Sequence, residues 1–99
     1  MKNSLNFLEE LFQTIEKKSK SKDNKSYTKQ LLTKGKNTIA QKIGEQSSEL
    51  IVHYLNRTKK RTIEEASDLI YHLFVLLYSK KIKLEDIRKE LKKRQNVRR

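Results

Sequence analysis

The sequence predicts an all-α fold, a small bundle of four to five helices, and three observations carry that prediction. Proline is absent and glycine occurs twice in 99 residues, while Leu, Ile, Lys, Glu and Gln abound, a balance that favours helix nearly everywhere. Apolar residues recur three and four apart along most of the chain, the spacing that lines one face of a helix. No segment reads as a strand and no internal repeat is visible.

Leu5, Leu8, Leu11, Phe12 and Ile15 set a first amphipathic helix at about residues 4–18. EKKSKSKDNK, residues 16–25, is polar and aperiodic and reads as a mobile basic loop. Ser26 can cap a short second helix holding Leu31 and Leu32, and Gly35 is well placed to end it. Ile39, Ile43, Leu50 and His53 share one face of a third helix at about residues 37–55. NRTKKR, residues 56–61, reads as a turn, after which Thr62 opens a fourth helix that runs to Tyr78. A fifth helix at about residues 82–94 turns Leu84, Ile87 and Leu91 inward and leaves residues 95–99 as a basic tail of one 1–99 domain.

The fourth helix sets a packing problem. Leu69, Ile70, Leu73, Phe74, Val75, Leu76 and Leu77 surround it on nearly all sides, and a helix apolar all round must be buried on several sides. So short a chain has few helices with which to cover it. A second subunit is the simplest cover, so the sequence predicts a homodimer with a shared core.

Charge narrows the partners. Twenty-four Lys and Arg face 12 Asp and Glu, a formal charge of +12, and a field of that sign attracts nucleic acid, nucleotides or an acidic membrane surface. Cysteine is absent, which excludes disulfides and thiolate metal sites and fits the cytoplasm. The longest apolar run, Leu73 to Tyr78, is far too short to span a bilayer. The opening MKNSLNFLEELF carries acids where an export signal has an apolar core.

Against that basic background the placement of the acids needs a reason. Glu65, Asp68 and His72 fall on one helical stripe with Leu69 and Leu76, on a face expected to be buried. The third helix adds Glu45 and Glu49, four apart and bounded by Ile43, Leu50, Ile51 and Val52. Local roles exist for some of them: Thr62 to Glu65 fits a capping box, and Glu45 can pair with Lys42. Carboxylates beside apolar residues on two neighbouring helices remain costly unless paired or bound to a cation. Magnesium, held by a few carboxylates together with substrate phosphates, resolves that cost. Gly44, inside the third helix, points to close approach of another helix or a ligand. His53 and His72 have apolar neighbours and no carboxylate at ligand spacing, so both read as core histidines rather than a zinc site.

Ser26-Tyr27-Thr28, Leu31-Leu32, Gly35, Lys42-Ile43-Gly44-Glu45, Glu49, Glu65-Ala66, Asp68-Leu69, Tyr71-His72-Leu73, Val75-Leu76-Leu77 and Glu90-Leu91 run in register with one family. Over about residues 5–94 the chain resembles the phosphoribosyl-ATP pyrophosphohydrolases, within the MazG-like all-α nucleotide pyrophosphatases. The resemblance implies a helical dimer or larger assembly that uses Mg2+ to cut the α–β phosphate bond of phosphoribosyl-ATP. The products are pyrophosphate and phosphoribosyl-AMP, in the second step of histidine biosynthesis. It also implies coupling to a phosphoribosyl-AMP cyclohydrolase, which some relatives carry fused to this domain.

The family signature, EExxE on one helix and ExxD on the next, maps onto Glu45, Glu49, Glu65 and Asp68. Position 46 departs from it: Gln46 stands where the family has Glu, keeping an acceptor carbonyl but losing a charge. The expected metal ligands are Glu49, Glu65 and Asp68, with Gln46 beside them, and Glu45 or Glu49 is the expected general base. Lys42 is the expected phosphate contact, and Ser26, Tyr27 and Thr28 match the family's substrate-binding motif. Two other functions compete: a pyrophosphatase for other nucleoside triphosphates on the same fold, and a basic helical module that binds nucleic acid. Acids on two facing helices argue against the second, since a duplex binder has no use for them.

Overall fold

The helical spacing becomes five helices in a computed structural model that describes residues 6–98. These are α1 (Asn6–Ser19), α2 (Tyr27–Lys34), α3 (Lys36–Asn56), α4 (Lys59–Ser79) and α5 (Leu84–Arg98), and no strand occurs among the described residues. The all-α prediction therefore holds. The expected helix positions Ser4 and Leu5 and the tail residue Arg99 lie outside the described residues.

The ends of the helices follow from local chemistry. Ser26 caps α2 as expected, its hydroxyl accepting the N–H of Lys29 at 3.3 Å. Gly35 ends that helix with φ 98°, a left-handed backbone that a side chain would strain, and its N–H returns to the carbonyl of Leu31. The start of α4 differs from expectation. Thr58 is the cap, accepting the N–H of Arg61 at 3.3 Å, so the helix begins at Lys59 and the expected Thr62–Glu65 capping box does not form. Thr62 lies one turn inside, and its hydroxyl donates to the carbonyls of Thr58 (3.1 Å) and His53 (3.3 Å). The expected six-residue turn thus shrinks to Arg57 and Thr58.

Two other boundaries move. Helix α1 absorbs residues 16–19, so only Lys20 to Ser26 remain between helices. Helix α5 starts where the Asp86 carboxylate accepts the N–H of Lys83 at 2.9 Å, and it continues through the expected tail to Arg98. Leu84 and Ile87 pack on the core, but Leu91 is 56% exposed rather than turned inward.

The core comprises Ile15, Leu31, Ile39, Phe74, Val75 and Leu77, drawn from α1 to α4. Phe12 packs its ring 5.4 Å from that of Phe74 and 6.5 Å from that of Tyr78, pinning α1 to the C-terminal half of α4. The most extensive packing is between α3 and α4, each 21 residues long and folded back on each other at the two-residue turn. That hairpin keeps apolar side chains in the open: Ile51, Val52, Tyr54 and Leu55 on α3, and Ile63, Ile70 and Leu73 on α4.

Truncation at the centre of this core should be expensive. Ile15, 1% exposed, should cost about 2–5 kcal/mol as Ile15→Ala, whereas Leu91→Ala should cost under about 0.5 kcal/mol. Urea denaturation of the two variants checks the contrast, and equal losses would mean that α5 packs along its whole length.

Candidate active site

Helix α3 builds half of the site through its register. Gln46, Glu49 and His53, three and then four residues apart, form one stripe, and the two-residue turn brings that stripe against α4. Opposite it stands Glu65, buried at 7% exposure. A carboxylate that deep needs partners. Arg61, one turn earlier, reaches it with Nη2 at 3.1 Å while also bonding Glu64, and His53 Nε2 lies 3.6 Å away. The same imidazole nitrogen is 3.3 Å from the Glu49 carboxylate.

The ligand atoms of Glu49, His53 and Glu65 therefore fall within 4.8 Å of one another. This revises the expectation for His53, which has carboxylates of two helices at ligand spacing. The signal was present in the i, i+4 pair of Glu49 and His53, but the contact to Glu65 arises only in the fold.

The other expected residues divide. Gln46 is half-buried, and its Oε1 is buried without a hydrogen-bond partner. Glu45 is exposed, accepting from Gln41 Nε2 at 3.1 Å, with Lys42 Nζ at 3.8 Å. Asp68 is exposed rather than on a buried face, although it lies one turn beyond Glu65 on the same helix. Among the described residues, no other part of this chain closely approaches Gly44: a Cβ there would meet nothing within 4 Å. The carboxylates of Glu49 and Glu65, converging from two helices, are oxygen donors that fit a divalent cation, and Gln46, on the same stripe of α3, holds a buried carbonyl oxygen in want of a partner.

A second polar chain joins the start of α2 to α4. The Tyr27 hydroxyl lies 2.9 Å from His72 Nε2, and His72 Nδ1 lies 2.9 Å from the carbonyl of Asp68. A carbonyl only accepts, so Nδ1 carries the proton, and in the neutral ring Nε2 accepts from Tyr27. His72 is the satisfied core histidine expected of it. Burial, then the negative charges of Asp68 and Glu45, raises Tyr27 above its ordinary pKa, which sets both acids in the neighbourhood of this ring. Burial likewise raises Tyr71, against a hydrogen bond with Thr28 that lowers it. Ser26 and Thr28 are committed to the fold as cap and buried hydroxyl, whereas Tyr27 is 46% exposed.

Five helices, with carboxylates of α3 and α4 drawn together in a chain of formal charge +12, define a class of protein: small all-α domains that carry an acidic cluster between two helices. The particular family follows from comparison. Residues 8–95 match the family described as phosphoribosyl-ATP pyrophosphohydrolase, and the chain belongs to that family of hydrolases. It is 46% identical over 91 residues to the phosphoribosyl-ATP pyrophosphatase of Sulfurisphaera tokodaii, covering 92% of this chain and 97% of that protein. With the Bacillus cytotoxicus protein of the same name it shares 45% identity over 87 residues, 88% of this chain and 81% of the relative. The Sulfolobus acidocaldarius phosphoribosyl-ATP pyrophosphatase is 40% identical over 89 residues, 90% of this chain and 94% of its own.

Two expectations test the site's surroundings. Gly44→Ala has room for its methyl group and sits in a helix interior, so it should stabilise the chain by about 0.5–1 kcal/mol; a fall in melting temperature would reveal a constraint on that backbone. Tyr27 and Tyr71 hold their protons in the folded chain after the unfolded chain has lost them. Their stabilising contribution is therefore full below pH about 10 and is lost as pH rises through the raised folded values. Tyr27→Phe should flatten the alkaline decline in melting temperature relative to the unsubstituted chain.

Proposed function

We propose that this chain hydrolyses phosphoribosyl-ATP at the α–β phosphoanhydride bond, adding one water and releasing phosphoribosyl-AMP and pyrophosphate. The observation that carries the reading is the convergence of Glu49 and Glu65, from two helices, within ligand distance of each other. Family membership and the formal charge of +12 support it from independent directions. Mg2+ is the proposed cofactor, held by Glu49 and Glu65, with the Gln46 carbonyl and Asp68 as further ligands. When bound, it supplies positive charge to the phosphate oxygens as the bond opens.

The remaining work belongs to the chain. Glu45 or Glu49 takes a proton from the attacking water. Glu45 is open to solvent and held by Gln41 and Lys42, while Glu49 is engaged by His53. Lys42 is half-exposed and can turn from Glu45 to a substrate phosphate. Tyr27, within the Ser26–Tyr27–Thr28 segment, offers a half-exposed ring to the nucleotide, and Ser26 and Thr28 hold that segment in place.

The apolar side chains that α3 and α4 leave in the open support a homodimer built on this hairpin. No helix of the described residues is long and apolar enough to cross a membrane. The reading includes a cytoplasmic location, a role in histidine biosynthesis and coupling to a phosphoribosyl-AMP cyclohydrolase that consumes the product.

The direct test is pyrophosphate release from phosphoribosyl-ATP with and without Mg2+, beside a panel of ordinary nucleoside triphosphates. Glu65→Gln and Asp68→Asn should each remove Mg2+-dependent turnover by more than the about 10–100-fold typical of residues that merely support ligands. Circular dichroism should show the helices intact; loss of fold with turnover per folded molecule spared would assign both acids a structural role. Gln46→Glu restores a carboxylate at a buried oxygen without a partner. It should lower the Mg2+ needed for half-maximal turnover about tenfold, worth about 1.4 kcal/mol, and lower the melting temperature without metal. An unchanged Mg2+ requirement would remove residue 46 from the ligand set.

A further inference from the structure

We infer that Arg61 is an exchangeable counter-ion: it pairs with Glu65, yields that carboxylate to the divalent cation, and takes a substrate phosphate with the nitrogen so released. This rests on the reading of Glu65 as a Mg2+ ligand and gives a phosphate-binding role to a residue that the reading leaves idle. Three observations carry it.

The first is that Glu65 has one close cationic partner among the described residues. A carboxylate 7% exposed cannot do without a positive charge. Arg61 Nη2 lies 3.1 Å from Oε2, whereas His53 Nε2 reaches the same oxygen only at 3.6 Å, beyond a hydrogen bond. A guanidinium and a divalent cation on one carboxylate repel each other, so the two compete for Glu65.

The second is that the guanidinium divides its work between two nitrogens. Nη1 bonds Glu64 and Nη2 bonds Glu65. Loss of Glu65 therefore frees Nη2 alone, and Glu64 keeps the group tethered beside the cation site.

The third is that Arg61 is held where a cation is poorly placed. It is the third residue of α4, after Lys59 and Lys60, and the first turn carries no acid. The positive end of the helix dipole disfavours cations there, and a basic residue four before an acid is the weaker order of such a pair. The same surroundings favour an anion. With a phosphate oxygen on Nη2 the exchange closes: Glu65 trades a guanidinium for the metal, and Arg61 trades a carboxylate for the phosphate.

The experiment is calorimetric titration of the full chain with Mg2+ alone, then with inorganic pyrophosphate at saturating Mg2+. Arg61→Gln should tighten Mg2+ alone about tenfold, because a like charge beside the ion is gone. It should weaken pyrophosphate about tenfold, because the guanidinium is gone. A merely structural arginine would not move the two in opposite directions. Arg88→Gln removes an equal charge from an exposed site on α5 and should change either by under about twofold. If Arg61→Gln folds poorly, nuclear magnetic resonance of the unsubstituted chain replaces it: Mg2+ with pyrophosphate should shift the Arg61 guanidinium signal. Mg2+ binding unchanged or weakened by Arg61→Gln, pyrophosphate bound as tightly as before, or an Arg61 signal that stays in place overturns the inference. The Mg2+ reading survives any of these provided that Glu65→Gln weakens Mg2+ binding. If Glu65→Gln leaves Mg2+ binding unchanged, Glu65 is not a ligand and the inference falls with that reading.

Discussion

The two-residue turn between α3 and α4 is the constraint on which the site depends. Two helices of 21 residues joined by Arg57 and Thr58 have little choice but to pack along their length. Thr58 caps the second helix, and Thr62 ties it back to the carbonyl of His53 in the last turn of the first. The register that results turns Glu49 and His53 toward Glu65. A longer connection, such as the six residues expected from NRTKKR, would leave the rotation of one helix against the other free, and the carboxylates would have no fixed relation.

Burying Glu65 creates an electrostatic demand that the neighbourhood meets in part. Arg61 supplies a positive charge, but from a half-exposed side chain whose other partner is Glu64, so its hold is weakened by solvent. Histidine supplies a donor at the margin of hydrogen-bond reach, and Gln46 presents an oxygen with no donor at all. A cluster of acids incompletely paired with cations matches the ion-binding role proposed for it. The excess of lysine and arginine over acidic residues then acts at longer range, attracting a polyphosphate that the acidic cluster alone would repel.

The polar chain Tyr27–His72–Asp68 does different work. It links the cap of α2 to the middle of α4 across 45 residues, so the exposed ring of Tyr27 is held beside the acids rather than left on a mobile loop. With Thr28 and Tyr71 bonded beneath it, the Ser26–Tyr27–Thr28 segment has one side chain free to face solvent. A three-residue motif can therefore consist of one residue open to solvent and two that hold it there.

Sequence by itself determined whatever is decided within a helical turn or two. The helix content, the Ser26 cap, the Gly35 stop, the inward face of Ile39, Ile43, Leu50 and His53, and the pairing of Glu45 with Lys42 all follow from spacings of three and four, because those interactions are made along one helix. The family and its acidic signature were legible for the same reason, since they are patterns in the chain. Tertiary structure alone decided what lies across helices. Thr58 and Thr62 are both plausible caps four residues apart, and the choice belongs to where α3 stops. Leu91 has the spacing of a core residue but stands in the open, because α5 meets the core only through its first turn. Asp68 shares a stripe with Glu65 yet is exposed, a difference that spacing along one helix does not reveal. His53 was a core histidine along its own helix; only the rotation set by the two-residue turn made it the partner of a carboxylate twelve residues further on.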